Sequence, residues 1–142
     1  MQQDAAGYKI FTTEGLQEIL HKHQLWLDGK EGGVRANLYS ANLESANLYS
    51  ANLVRANLES AKYGDETLRG FLQIGPIGSR KSMLQVFGIG AAGFVFRAGC
   101  FTGSLEEFTA IVEKKHGDNE HGVKYRCAIE FAKQMLPPKK GN

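Results

Sequence analysis

Two kinds of hydrophobic spacing divide the chain. From Ala36 onward, apolar residues recur every five positions: Ala at 36, 41, 46, 51, 56 and 61, and Leu at 38, 43, 48, 53 and 58, with Tyr63 in the sixth slot. An amphipathic helix needs apolar residues about 3.6 apart, and a half-buried strand needs strict alternation. On a helix, a five-residue step rotates by about 140° and smears the Leu positions around the cylinder. A backbone that turns one corner per five residues accommodates the pattern. Leu and Ala then point inward, while Asn and two variable residues face out. Four walls close a coil of about 20 residues, and successive coils pair at the usual sheet spacing of about 4.8 Å.

On either side the spacing is ordinary. Leu16, Ile19, Leu20, His23 and Leu27 follow helical periodicity. Thr12 or Thr13 supplies an N-cap, and Gly29 follows a helix ending near Asp28. After Asp65 three strands are expected, at 71–75, 82–87 and 94–98, joined by the Gly-rich segments 75–80 and 88–93 as a meander. Ser104 with Glu107 forms a capping box for a helix from Leu105. A second helix starts after Asp118 or Asn119, carries Tyr125, Ala128, Ile129, Ala132 and Leu136 on one face, and stops at Pro137-Pro138. The expected organisation is a capping helix over 1–34, a short right-handed quadrilateral β-helix over 35–65, and an α+β module over 66–142 (a three-stranded meander plus two helices).

Composition narrows the class. The 142 residues are 42% hydrophobic and 23% charged, as in a soluble globular protein. No apolar run approaches the roughly 20 residues of a bilayer span. The first thirty residues lack the order of a secretion signal, and two cysteines, Cys100 and Cys127, are too few for a disulfide framework. A reduced, cytoplasmic protein is expected. Net charge is +2 overall, but residues 66–142 hold eleven Lys/Arg against seven Asp/Glu, a local +4. If the protein attracts an anion, the second half is the place to look.

The units ANLYS, ANLES, ANLYS, ANLVR and ANLES, then a degenerate AKYGD, resemble the pentapeptide-repeat family, whose consensus is Ala-Asp/Asn-Leu-x-x. The resemblance implies the β-helical fold. It also brings in family members that mimic duplex DNA, but their long acidic rod has no counterpart in this short, nearly neutral segment, so duplex DNA is not the expected partner. Gly75-Pro-Ile-Gly-Ser-Arg80, Gly99-Cys-Phe-Thr-Gly-Ser104 with Leu105, Glu107 and Phe108, and His116-Gly-Asp-Asn-Glu-His121 with Tyr125 resemble phage and prophage proteins that join a pentapeptide segment to a similar tail. That resemblance implies a phage-type context more than a reaction.

The strongest candidate site is the loop 75–80. Gly75 and Gly78 let backbone approach an anion, Ser79 adds a hydroxyl, and Arg80 a planar fork. Lys81, Arg97 and Arg69 are expected nearby. The spacing is not that of a P-loop, and a strand follows instead of a helix. His116, Asp118, Glu120 and His121 crowd one turn, where helix-end electrostatics explains their charges better than a metal does. Cys100 has no surrounding Cys–His motif. His21 and His23 lie two apart, on different sides of a helix, and cannot chelate together. The expectation is a non-enzymatic protein with no cofactor and no metal, sequestering a small anion such as a nucleotide immune signal. The alternative is a protein-interaction module or inhibitor whose repeat faces present Tyr39, Tyr49 and Arg55 to a host or phage protein. Six units make only one and a half coils, so a homo-oligomer is expected as well.

Overall fold

The structure, a computed structural model, describes residues 2–48 and 51–139. It divides into two compact units, residues 1–68 and 69–142. The expected capping helix and the repeat segment both fall in the first.

The first unit opens with a small antiparallel pair, β1 (Gln2–Gln3) and β2 (Lys9–Ile10), in which Gln2 faces Ile10. Helix α1 spans Thr13–Leu27. Thr12 caps it, its side chain accepting from the Gly15 N–H at 3.0 Å. Asp28 closes the far end, and Gly29 takes the left-handed φ of 68° that favours glycine just past a helix. Leu16 and His23 are its buried side chains. The chain then doubles back beside the helix, with Val34 N–H donating to the Lys22 carbonyl at 3.0 Å. Gly33 permits this return, because a Cβ there would collide with the backbone of Trp26.

Along the repeat, one turn recurs in every unit. The N–H of Ala41, Ala46, Ala51, Ala56 and Ala61 each donates to the carbonyl of the Leu three residues earlier, at 2.9–3.1 Å. The outward Asn has a backbone role: the Oδ1 of Asn37, Asn42, Asn52 and Asn57 accepts the N–H two residues on, at 3.0–3.1 Å. This Asx-turn explains why Asn suits the second slot of each unit. Layers meet at a separation of twenty residues. Leu38 N–H donates to the Asn57 carbonyl and Asn57 N–H to that of Ala36; Leu43 N–H donates to the Lys62 carbonyl and Lys62 N–H to that of Ala41. Among the described residues these contacts are isolated parallel bridges, Asn37 with Asn57 and Asn42 with Lys62. Continuous strands do not form there, because only a few residues separate successive turns. Lys9 adds a parallel bridge to Ala41. Leu38, Leu43, Leu48, Ala36, Ala41 and Ala61 are buried.

Strand β3 (Lys62–Tyr63) turns through Gly64 and pairs antiparallel with the start of β4 (Glu66–Ile77). The second unit carries the meander order β4, β5 (Ser82–Ile89), β6 (Gly93–Ala98), β7 (Phe101–Gly103). The three-strand expectation ended at Ala98 and gave the segment 99–104 no strand. That segment instead forms a two-residue hairpin at Gly99-Cys100, with Ala98 facing Phe101, so the meander has four strands and not three. Gly99 supplies the positive φ, 59°, that such a tight turn requires. The other joins are shorter than expected for the same reason: β4 runs on through Gly75-Pro76 to Ile77, leaving the turn Gly78–Lys81, and β5 runs to Ile89.

Helix α2 (Leu105–Lys115) begins at the expected capping box of Ser104 and Glu107, and α3 (Glu120–Met135) at Asn119. Their buried residues Phe108, Val112, Ala128, Ile129, Ala132 and Leu136 pack with Leu84, Val86, Phe94 and Phe96 of the sheet in one core. The alternate side chains of β5 and β6 include Gln85, Phe87 and Arg97, with Phe71 tilted against Phe87 at 4.8 Å. Among the described residues, no helix is long and apolar enough to cross a membrane.

Candidate functional site

The second unit holds a cavity of about 360 Å³. Several separated segments line it. The turn after β4 brings Ile77, Ser79 and Arg80; the β6–β7 hairpin brings Gly99, Cys100 and Phe101; the end of α2 brings Lys115 and His116, with Tyr125 from α3. The segments 75–80, 99–104 and 116–121 with Tyr125, singled out by sequence, each contribute residues to the cavity lining. Phe108 lies beneath, stacked on Phe96 at 5.0 Å, tilted against Phe101 at 5.5 Å and edge-on to Tyr125 at 5.6 Å. The His116 ring lies on Tyr125 at 5.6 Å with 29° between planes, and meets His121 edge-on at 5.5 Å. Burial pushes the Tyr125 phenol above its ordinary value.

Gly78 explains how Tyr125 comes so close to the turn. A Cβ there would collide with the Tyr125 hydroxyl, and the residue has a φ of 82°. Its contribution is space and backbone geometry rather than a ligand contact. Gly75 sits inside β4 against Ser82 and Met83. Of the six residues expected to bind a ligand, Ser79 and Arg80 line the cavity; Gly75, Gly78, Lys81 and Arg97 do not.

The arginines expected near Arg80 have other positions. The Arg97 guanidinium lies 4.8 Å over the Phe87 ring. Arg69 is a clamp: it donates to the carbonyls of Ile89 at 2.8 Å, Gly90 at 3.2 Å and Leu136 at 3.1 Å, and lies 4.9 Å over Phe94. Desolvation pulls its pKa below the ordinary arginine value. Arg126 bonds Glu113 at 2.9 Å and the Gly117 carbonyl at 2.8 Å, and approaches Asp118 at 3.7 Å. The local +4 is thus partly consumed in holding the fold. Lys115, in the last turn of α2, is a second basic residue of the cavity lining, which sequence reasoning missed. Only helical phase marked it: Lys115 follows Phe108, Ile111 and Val112 on the stretch of α2 that borders the cavity.

Among the described residues, no group of three His, Cys, Asp or Glu side chains is placed to hold an ion. Glu120 lies 3.9 Å from His121 Nε2, and His121 Nδ1 is buried with no hydrogen-bond partner. On α1, His21 is exposed and His23 is fully buried. In the first unit, Tyr39 is exposed, with the Lys9 ammonium 5.8 Å from its ring centre. Arg55 is exposed with a φ of 63°, and its carbonyl accepts from Arg35. Tyr49 lies outside the described residues.

A family model described as pentapeptide repeats (8 copies) matches residues 34–62. The match is confined to the repeat; among the described residues the rest of the chain forms helices α1, α2 and α3 with the sheet strands. No curated protein and no solved structure matches the chain.

Proposed function

We propose that the second unit is a non-enzymatic binding module whose cavity takes a small anionic ligand of the nucleotide class. The convergence of Arg80, Lys115 and His116 around a wall built on Phe101, Phe108 and Tyr125 carries this reading. Planar guanidinium and ammonium donors suit phosphate. An aromatic wall suits a base. A volume of about 360 Å³ falls within the roughly 300–1,000 Å³ of small-molecule sites. The resemblance of the three cavity segments to phage and prophage proteins supports a phage-type role in the host cytoplasm, sequestering a nucleotide signal of host defence.

The repeat serves this protein as a scaffold. Its hydrogen bonds at twenty-residue separation support a short, right-handed, four-sided coil, closed on one side by α1 and β2. Calorimetric titration with a panel of linear and cyclic nucleotides tests the ligand reading. Binding that falls at least tenfold in Arg80→Ala and Lys115→Ala, and is retained in Arg97→Ala, is expected. No heat with any member of the panel overturns it.

A second reading places the function on the repeat, where exposed Tyr39 and Val54 present large side chains to a protein partner. Capture of a partner by wild type that survives Tyr39→Ala with Val54→Ser counts against it.

A further inference from the structure

We infer that helix α3 is a self-association surface and that two copies of this chain cross on it with Cys127 at the two-fold axis. The inference rests on a face remote in chemistry from the cavity and does not depend on any ligand.

Helix α3 buries Ala128, Ile129 and Ala132 in the core. Its opposite side carries Val123, Cys127, Phe131 and Met135, each four residues from the next. All are exposed: Val123 at 49%, Phe131 at 51% and Met135 at 57% of their full surface, with Cys127 a free exposed thiol. An uninterrupted row at a spacing of four is one ridge of the helix surface, tilted about 26° from the axis. When such a ridge seats in the groove beside the same ridge of a second helix, the two helices cross at about −50°, the commonest class in globular proteins.

The charges beside the ridge select how the second copy docks. Lys124 and Glu130 stand three residues before and three after Cys127, on opposite flanks of the ridge, and both are exposed. A two-fold axis running along the ridge carries each flank onto the other. Lys124 of one copy then faces Glu130 of the second, and the same contact forms again by symmetry. An axis perpendicular to the ridge would set Lys124 against Lys124 and Glu130 against Glu130, which is repulsive. The complementarity therefore favours the crossed, parallel arrangement of two identical helices. Glu130 also meets Lys133 of its own helix at 3.2 Å, an exposed pair of the weak kind that leaves the carboxylate available.

The same arrangement fixes the thiols. Crossing helices lie roughly 8–10 Å apart, with each Cα about 2.3 Å from its axis. The two Cys127 Cα atoms then fall roughly 3.4–5.4 Å apart, and the wider half of that range reaches the lower end of disulfide distances. Val123 and Phe131 pack on either side of that point, each against its own counterpart, and Met135 reaches the edge.

The test uses the full chain carrying Cys100→Ser, so that Cys127 is the sole thiol. Sedimentation should give a dimer at tens of micromolar under reducing conditions. Diamide, which takes up the two thiol hydrogens, should convert that dimer to a covalent one on a non-reducing gel. Phe131→Glu should raise the dimer dissociation constant at least tenfold while leaving thermal unfolding of the monomer in place. Lys124→Glu and Glu130→Lys should each weaken the dimer, and the double variant should restore it. A monomer throughout, a dimer indifferent to Phe131→Glu, or a dimer that fails to crosslink through Cys127 would each overturn the inference. Charge variants whose double does not recover would overturn the crossed geometry.

Discussion

The Nδ1 atom of His23 accepts the backbone N–H of Ala36 at 2.9 Å, and its Nε2 lies 2.8 Å from the carbonyl of Val54. With Nδ1 accepting, Nε2 carries the hydrogen and donates. One fully buried imidazole thus ties α1 to two different units of the repeat, while its ring stacks on Trp26 at 5.5 Å. His23→Ala strands a donor and an acceptor away from water, each at about 1–3 kcal/mol. We expect at least 2 kcal/mol lost from the first unit, read by urea unfolding. His21→Ala, at an exposed position, should cost under about 0.5 kcal/mol.

Identical repeat positions should not have identical energetics. Asn42 Oδ1 accepts from both Glu44 and Gly64 at 3.1 Å, and its Nδ2 donates to Asp4 at 2.9 Å. Asn52 Oδ1 accepts from Val54 at 3.0 Å. Asn42→Ala should therefore destabilise by about 1–2 kcal/mol more than Asn52→Ala. Equal losses in chemical denaturation would show that the Asp4 and Gly64 contacts contribute nothing.

Gly78→Ala forces a side chain into a left-handed backbone and into the Tyr125 hydroxyl. A cost of about 1–3 kcal/mol is expected, measured as a fall in melting temperature. Part of it should return when Tyr125→Phe is added, since the colliding oxygen is then gone. The backbone part should remain.

Hydrogen bonds from Ser104 hold the Glu107 carboxyl below its ordinary value of 4.5. Asp4 is likewise lowered, first by the Asn42 side chain and then by the Tyr8 backbone. A carboxylate with a depressed folded pKa contributes stability that is fully present above its unfolded value and lost as pH falls through the folded one. Protection of the Ser104 amide from hydrogen exchange should thus be complete at neutral pH and decline as pH falls below about 4.5. Glu107→Gln should flatten that dependence. Ser104→Ala should cost about 1 kcal/mol at neutral pH.

The five-residue period marked the repeat by itself, and the turn from Ala N–H to the preceding Leu carbonyl recurs at that same interval. Helices α1, α2 and α3 were equally legible, since Thr12, Ser104 and Asn119 cap them and their apolar faces follow helical spacing. Strand ends were less so. Gly75-Pro76 and Gly99-Cys100 have turn composition, yet pairing with neighbouring strands extended β4 and created β7. The loop 75–80 and the segments at Cys100 and His116 were visible as separate candidates, but their meeting in one cavity depends on the order β4-β5-β6-β7 and on how α2 and α3 pack against it. How each arginine is engaged was decided only by tertiary contacts. Charge counts treat Arg69, Arg80, Arg97 and Arg126 alike, whereas packing uses Arg69 and Arg126 on carbonyls and carboxylates, lays Arg97 on Phe87, and leaves Arg80 at the cavity.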